Sequence, residues 1–176
     1  MILGAVLAGG QSSRFGSDKA LANVKGHTLL SLAVSKLSGW CDKVVVVGRD
    51  EAPTPTLPDW PGPGMGPLGG IAAALRLARQ EGFDLVLTIG VDSLGLPDDL
   101  PARLDPAPAY VADQPVIALW PAHAEGAVVK ILESDARHSM MALAEAVGAR
   151  AITLPAATIN INTPADLASV PDHGSE

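Results

Sequence analysis

Ile2-Leu3-Gly4-Ala5-Val6-Leu7-Ala8-Gly9-Gly10 runs without a charge into a pair of glycines. A short apolar run that stops at Gly has the length and flanks of a strand buried on both faces. Downstream, Leu30, Ala33, Val34 and Leu37 recur at helical spacing, and Lys43 is followed by four β-branched residues, Val44 to Val47. Strand, helix, strand in this order is the pattern of a βαβ unit. The pattern then repeats. After a Pro- and Gly-rich loop from Ala52 to Pro67, residues Leu68, Ile71, Ala72 and Leu75 form one helical face, and Leu85 to Ile89 is a further central strand. Three parallel strands form the expected core. Pro97 and Asp98 open a short helix through Leu104, with Asp98 and Asp99 as helix-start acids. Tyr110 to Ala112 and Val116 to Trp120 read as strands, Ala127, Val128, Ile131 and Leu132 as a helical face, and roughly Ser139 to Val147 as a further helix. Arg150 to Leu154 reads as a last strand, and Thr163-Pro164-Ala165-Asp166 starts a final helix with an N-cap and a first-turn proline. The expected architecture is α/β, a three-layer α/β/α sandwich with a mostly parallel sheet.

Composition agrees. The chain has 176 residues, enough for one domain over 1–176 and short for two. Apolar residues make up 48% and aromatics only 3%, so the interior is built from Ala, Val, Leu and Ile. The formal charge of −7 excludes a global positive field for nucleic acid or an anionic membrane. No apolar run approaches the roughly 18 residues of a membrane span, and Met1 to Gly10 lacks the basic start of a secretory signal, so a cytoplasmic protein is expected. Cys41 is the only cysteine, which excludes an intrachain disulfide, and it reads as a small buried filler. His27, His123, His138 and His173 show no zinc-ligand spacing.

The charge is uneven. Over residues 1–25, Arg14, Lys19 and Lys25 face only Asp18, a local +2; over 81–113, seven acids face only Arg103, a local −6. The first patch suits phosphate and the second a divalent cation.

In such sheets ligands bind at the carboxyl ends of strands, near a switch in strand order. After the first strand comes Leu7-Ala8-Gly9-Gly10-Gln11-Ser12-Ser13-Arg14-Phe15-Gly16-Ser17-Asp18-Lys19-Ala20-Leu21. Glycines let backbone N–H groups approach a phosphate, Ser12 and Ser13 donate hydrogen bonds, and Arg14 and Lys19 supply charge. The spacing fits neither G-x-x-x-x-G-K-[ST] nor G-x-G-x-x-G. A tight turn carrying exposed charges is the plain alternative. At the end of Leu85–Asp92, Asp92 is placed to hold Mg2+, which needs only one or two protein carboxylates beside substrate phosphates; capping the following turn is the other reading. Asn160 and Asn162 alternate about Ile161 and share one face of an extended segment, or bond local backbone at a helix entrance.

The loop resembles the signature of the nucleotidyltransferases typified by molybdenum cofactor guanylyltransferase, also called molybdopterin-guanine dinucleotide biosynthesis protein A. Ala-Gly-Gly joined to Asp-Lys-Ala-Leu favours this branch over sugar-phosphate and cytidylyl-transferring relatives, which more often carry Leu-Ala-Ala-Gly. Gly66-Pro67-Leu68-Gly69-Gly70-Ile71, Gln114-Pro115-Val116-Ile117-Ala118-Leu119 and Asn160-Ile161-Asn162-Thr163-Pro164-Ala165-Asp166-Leu167 resemble three further segments of that family. The resemblance implies a Rossmann-like, nucleotide-diphospho-sugar-transferase-like fold. It implies Mg2+-dependent transfer of GMP from GTP to the molybdopterin cofactor, with release of pyrophosphate and no covalent nucleophile. Arg14, Lys19 and Asp92 are then the catalytic candidates, with Asp92 the metal ligand. Nucleotide contacts are expected from Leu7, Ala8, Gly9, Gly10, Ser12, Lys19, Asp59, Gly66 and Asp92. Asp59 falls where the family carries an acidic nucleotide contact, an idle loop aspartate being the alternative. Asn160 and Asn162 are expected on the acceptor side, and Arg137, His138 and Ser139 fall where relatives carry basic residues suited to the pterin phosphate. Expected partners are these small molecules, with room for transient contact with molybdenum cofactor biosynthesis or target enzymes.

Two departures stand out. Relatives follow the strand-end Asp with a small polar residue and proline, whereas here it is Asp92-Ser93-Leu94-Gly95-Leu96-Pro97; and a polar residue that often ends their second strand is replaced by Val47-Gly48. These keep two alternatives open: another donor or acceptor, such as CTP with the same pterin or a different small phosphorylated acceptor, and a nucleotide-binding module that has lost catalysis.

Overall fold

A computed structural model describes residues 1–9 and 18–155 and the backbone of 159–160. Its strands are β1 (Ile2–Leu7), β2 (Asn23–Val24), β3 (His27–Thr28), β4 (Lys43–Val47), β5 (Thr56–Leu57), β6 (Leu85–Gly90), β7 (Ser93–Leu94), β8 (Ala109–Val111), β9 (Gln114–Pro121), β10 (Arg150–Ile152) and β11 (Ile159–Asn160). The α-helices are α1 (Leu29–Ser38), α2 (Pro67–Glu81), α3 (Leu100–Leu104), α4 (Glu125–Glu133) and α5 (Met140–Val147). A seven-stranded sheet in the order β10-β8-β9-β6-β1-β4-β5 organises the chain, with β9 antiparallel to both its neighbours. The expected α/β sandwich with a mostly parallel sheet is what forms.

Alternation along each strand divides the core in two. Leu3, Ala5, Val45, Val47 and Val86 face α2, α4 and α5, while Val6, Val44, Val46, Leu87 and Ile89 face α1 and α3. Both faces are covered, which is why Val44 to Val47 read as a continuous apolar run rather than an alternating one. Helix α1 lies so close on β1 that a Cβ at Gly4 would sit 3.0 Å from Cys41 Sγ and 3.3 Å from Leu37 Cβ. It starts where Thr28 accepts a hydrogen bond from Ser31 N. Helix α2 stops at Gly82, whose φ is +79°, a left-handed C-terminal turn.

The two polar side chains buried in the sheet region, Thr88 and Ser93, are paired. Thr88, fully buried in β6, donates to Val116 O at 2.7 Å and accepts from Trp120 Nε1 at 3.3 Å. The chain order moves from β1 to β4 and β5 on one side, then crosses to β6 on the other. Right-handed crossovers in opposite directions put α1 and α2 on opposite faces and open a crevice at the carboxyl end of β1.

Several expectations need adjustment. The loop Ala52–Pro67 contains the edge strand β5, too short to show a period. The short helix opens at Leu100 rather than at Pro97, after a turn closed by Leu100 N donating to Pro97 O. Asp99 stands at the N-cap of this helix, as a helix-start acid should, but its side chain takes Arg103 Nε at 2.7 Å instead of a backbone amide, and Asp98 takes Lys36 Nζ at 2.6 Å. The strand expected to be last is shorter, Arg150–Ile152, and is followed by β11; β9 begins earlier, at Gln114, beside a register shift at Tyr110/Val111. The final helix expected from Thr163 lies outside the described residues.

Candidate active site

Three strand ends meet at one edge of the sheet: Leu7 to Gly9 after β1, Val47 to Arg49 after β4, and Gly90 to Asp92 after β6. Above them lies a cleft of about 560 Å3, within the range of small-molecule sites. Its floor is Leu7, Gly9, Val47, Gly90 and Val91. One wall is Asp59, Gly64 and the start of α2; the other is Asp113 to Val116 at the β8–β9 turn.

Lys19 and Asp92 both line this cleft, and Lys19 Nζ donates to Asp92 Oδ2 at 3.0 Å. Seventy-three positions apart in sequence, they meet because β1 and β6 are neighbours. Asp92 fits over Gly90, where a Cβ would stand 2.6 Å from Asp92 Oδ1. The glycine is therefore a seat for the carboxylate.

Gly9 meets Gly48 across the next strand boundary. A Cβ at Gly48 would fall 2.6 Å from Gly9 Cα and 2.7 Å from Gly9 N, and Gly48 has φ +89°. Only glycine meets both demands. The apparent loss of a polar side chain at Val47-Gly48 is thus, in this fold, a backbone-to-backbone approach between the ends of β1 and β4.

The glycines of α2 divide the work. Gly66 precedes Pro67 with φ +66° and ψ −161°, a conformation open to glycine. A Cβ at Gly70 would stand 3.0 Å from Leu7 Cδ2, so this position serves helix–sheet packing. At Gly69 it would stand 3.3 Å from Asp59 Cβ, so the loop carrying Asp59 rests on the helix start, with Trp60 N donating to Gly69 O. Arg76 lies over the Trp60 ring at 4.4 Å and pairs with Glu125, fastening the loop from behind. Burial pushes the Asp59 carboxyl above its usual range.

The sequence candidates therefore sort as follows. Leu7, Gly9, Lys19, Asp59, Gly66 and Asp92 are brought together around the cleft. Ala8 turns away: its methyl packs in the α1-side core and its N–H donates to Val47 O at 3.0 Å. Asn160 pairs in register with Ser93, next to Asp92, through β7 and β11. Gly10, Ser12, Arg14 and Asn162 lie outside the described residues. Arg137 is exposed and His138 half-buried, neither lines the cleft, and Ser139 caps α5.

Asp113 and Gln114 were not foreseen as cleft residues. Ser93 Oγ donates to Gln114 Oε1 at 3.3 Å, tying the far wall to the Asp92 strand end. The Gln-Pro pair that opens β9 was the available signal for Gln114; an exposed acid in a two-residue turn offered none for Asp113. Among the described residues no three His, Cys, Asp or Glu side chains cluster as a ready metal site.

A doubly covered, mostly parallel sheet with a glycine-lined cleft, a cation and a carboxylate at its switch point defines a nucleotide-handling α/β enzyme. Residues 4–159 match the family described as MobA-like NTP transferase domain, and the chain belongs to that family. It is a nucleotidyltransferase. It is 34% identical over 176 residues to a molybdenum cofactor guanylyltransferase of Acidiphilium cryptum, covering 92% of this chain and 90% of that protein. Against a protein of the same description from Rhodobacter capsulatus it is 34% identical over 182 residues, covering 97% and 95%. A molybdopterin-guanine dinucleotide biosynthesis protein A from Archaeoglobus fulgidus shares the fold at a TM-score of 0.74 and 22% identity, covering 96% and 95%. A CMP:2-keto-3-deoxy-manno-octonic acid synthetase complexed with CTP shares it at 0.71 and 14%, covering 96% of each chain.

Proposed function

We propose that the protein transfers GMP from GTP to the molybdopterin cofactor and releases pyrophosphate. The observation that carries this reading is the meeting of Lys19 and Asp92 at 3.0 Å in a cleft that Asp59 also lines. Two relatives at 34% identity carry the guanylyltransferase name, which supports the same donor and acceptor.

In nucleotidyl transfer an acceptor phosphate oxygen attacks the α-phosphorus in line, and the bond to the pyrophosphate oxygen breaks. Most of the protein's contribution is positioning and charge neutralisation. Gly9 offers a backbone that a side chain would block, and the N-terminal end of α2 favours anions beside it. Lys19 offsets the charge that grows on the departing pyrophosphate. Asp59 supplies two acceptor oxygens, which match the adjacent N1–H and N2–H donors of guanine. The Asp113–Val116 wall and the Asn160 strand bound the acceptor side.

Asp92 fits a Mg2+ ligand: it is a strand-end carboxylate, seated where Gly90 leaves room, facing a cleft for phosphates, and Mg2+ needs little more from a protein. When bound there, Mg2+ would neutralise phosphate charge.

The test is pyrophosphate release with GTP, CTP, ATP and UTP, each with molybdopterin cofactor, for the wild type and Lys19→Ala. Release with GTP that collapses in the variant supports the proposal. Preference for CTP would reassign the donor, and GTP binding without turnover on any pterin would make the protein a binding module.

A further inference from the structure

Lys19 is a long flexible side chain, and something must hold its backbone if its ammonium is to stand at one point in the cleft. Its own element is a single 3₁₀ turn, Lys19–Leu21, outside the sheet. The turn is closed by Asp18, whose side chain accepts from Ala20 N at 3.2 Å and whose carbonyl accepts from Leu21 N at 3.1 Å. Asp18 in turn is gripped from the sheet edge: Arg49 Nη1 lies 2.9 Å from Asp18 Oδ1 and 2.8 Å from Oδ2.

Arg49 follows Gly48 immediately, so its backbone is fixed by the strand end that also receives Gly9. Its Nε is buried with no hydrogen-bond partner among the described residues. A guanidinium that leaves a buried donor unmade while one nitrogen serves both oxygens of a single carboxylate is oriented by that carboxylate. Arg49, Asp18, Lys19 and Asp92 thus form a line from the end of β4 to the end of β6, passing over the end of β1.

We propose that Arg49 is a positioning residue that acts through Asp18 to hold Lys19 at the cleft. This rests on the reading of Lys19 as a group that meets the nucleotide's phosphates. A purely structural role is the competing account. Asp18 is 44% exposed, and ion pairs so open to solvent contribute little to folding stability.

Two measurements test the inference. Native-state hydrogen exchange at the Ala20, Leu21 and Ala22 amides needs no substrate. In Arg49→Met these amides should exchange about tenfold faster or more, while amides of β1 and β4 keep their wild-type rates. Unchanged exchange at Ala20–Ala22, or equal acceleration across the sheet, would overturn the proposal whether or not guanylyl transfer is the activity.

The second is a double-mutant cycle on pyrophosphate release from GTP with molybdopterin cofactor. Arg49→Met should lower kcat about tenfold or more, with KM for GTP moving less than about threefold. In a Lys19→Met background the same change should cost less than about threefold, because an effect that passes through Lys19 cannot be lost twice. Multiplication of the two single losses would assign Arg49 an independent role and overturn the proposal.

Discussion

Lys19 Nζ stands 3.0 Å from Asp92 Oδ2, and each side chain is 20% exposed. A cation and an anion at this depth interact more strongly than a surface pair yet stay within reach of a ligand entering the cleft. Lys19→Ala should therefore lower kcat/KM for nucleotidyl transfer by roughly 100-fold or more, the scale for losing one preorganised charge-stabilising group. Steady-state pyrophosphate release reads this directly, and a variant at the wild-type rate would remove Lys19 from the reaction.

Gly48 meets Gly9 backbone to backbone, so a methyl group there has no flexible neighbour to push aside. Gly48→Ala is expected to weaken GTP binding by about tenfold or more, since it adds a positive-φ strain of about 1 kcal/mol or more to the contact. Calorimetric titration against Gly62→Ala, whose Cβ would meet nothing within 4 Å, provides the control.

Asp59 should confer a pH dependence on nucleotide binding. Its carboxyl is raised by burial, and its ionised form is the one that would accept from the guanine of the proposed donor. GTP affinity should fall as pH drops through that raised pKa, and Asp59→Asn should flatten the profile. The sign for stability is opposite. A carboxyl raised on folding binds its proton more tightly in the native state, so its ionised form weakens the fold at neutral pH. Asp59→Asn should leave the thermal midpoint unchanged or higher at pH 7.

Thr88 is the hub of a buried polar pair, and Thr88→Val removes the acceptor for Trp120 Nε1 and the donor to Val116 O together. The expected loss is about 1–3 kcal/mol in urea unfolding, the cost of leaving buried groups unmade. A loss below about 0.5 kcal/mol would mean that water or a rearrangement replaces the hydroxyl.

Cys41 is expected to be inert. Desolvation, aided by Asp42, pushes its thiol up to about 12, and Gly4 leaves its sulfur only contact room. At pH 8 roughly one thiol in ten thousand is ionised, so iodoacetamide should label the native protein negligibly within an hour and label it readily in urea. Prompt native labelling would contradict this burial.

The parts of the fold legible in the sequence are those with a period or an unbroken apolar run. Val44 to Val47 and the α2 face around Ile71 announce themselves because both sides of the sheet are covered. Two-residue strands such as Thr56–Leu57 carry no period, and the direction of β9 is not written in its alternation; only the two-residue link from Val111 to Gln114 implies a hairpin. The site shows the same division. Lys19 and Asp92 sit at strand ends whose chemistry reads locally and Asp59 is picked out only by the family resemblance, whereas Arg49 and Asp113 acquire meaning only from what the topology sets beside them.

The single reversed strand of the large sheet also shapes how such a protein can change. Because β9 runs backwards, its amino end and the β8 turn reach the edge where the parallel strands finish. The parallel half holds Gly9, Lys19 and Asp92, while Asp113 to Val116 arrive on a separate, edge-side hairpin. Mutational drift in that hairpin can reshape one side of the cavity while the strand ends that carry Gly9 and Asp92 keep their geometry. Variation among descendants of this scaffold should accordingly accumulate first in the hairpin wall and last at the parallel strand ends beside Gly9, Lys19 and Asp92.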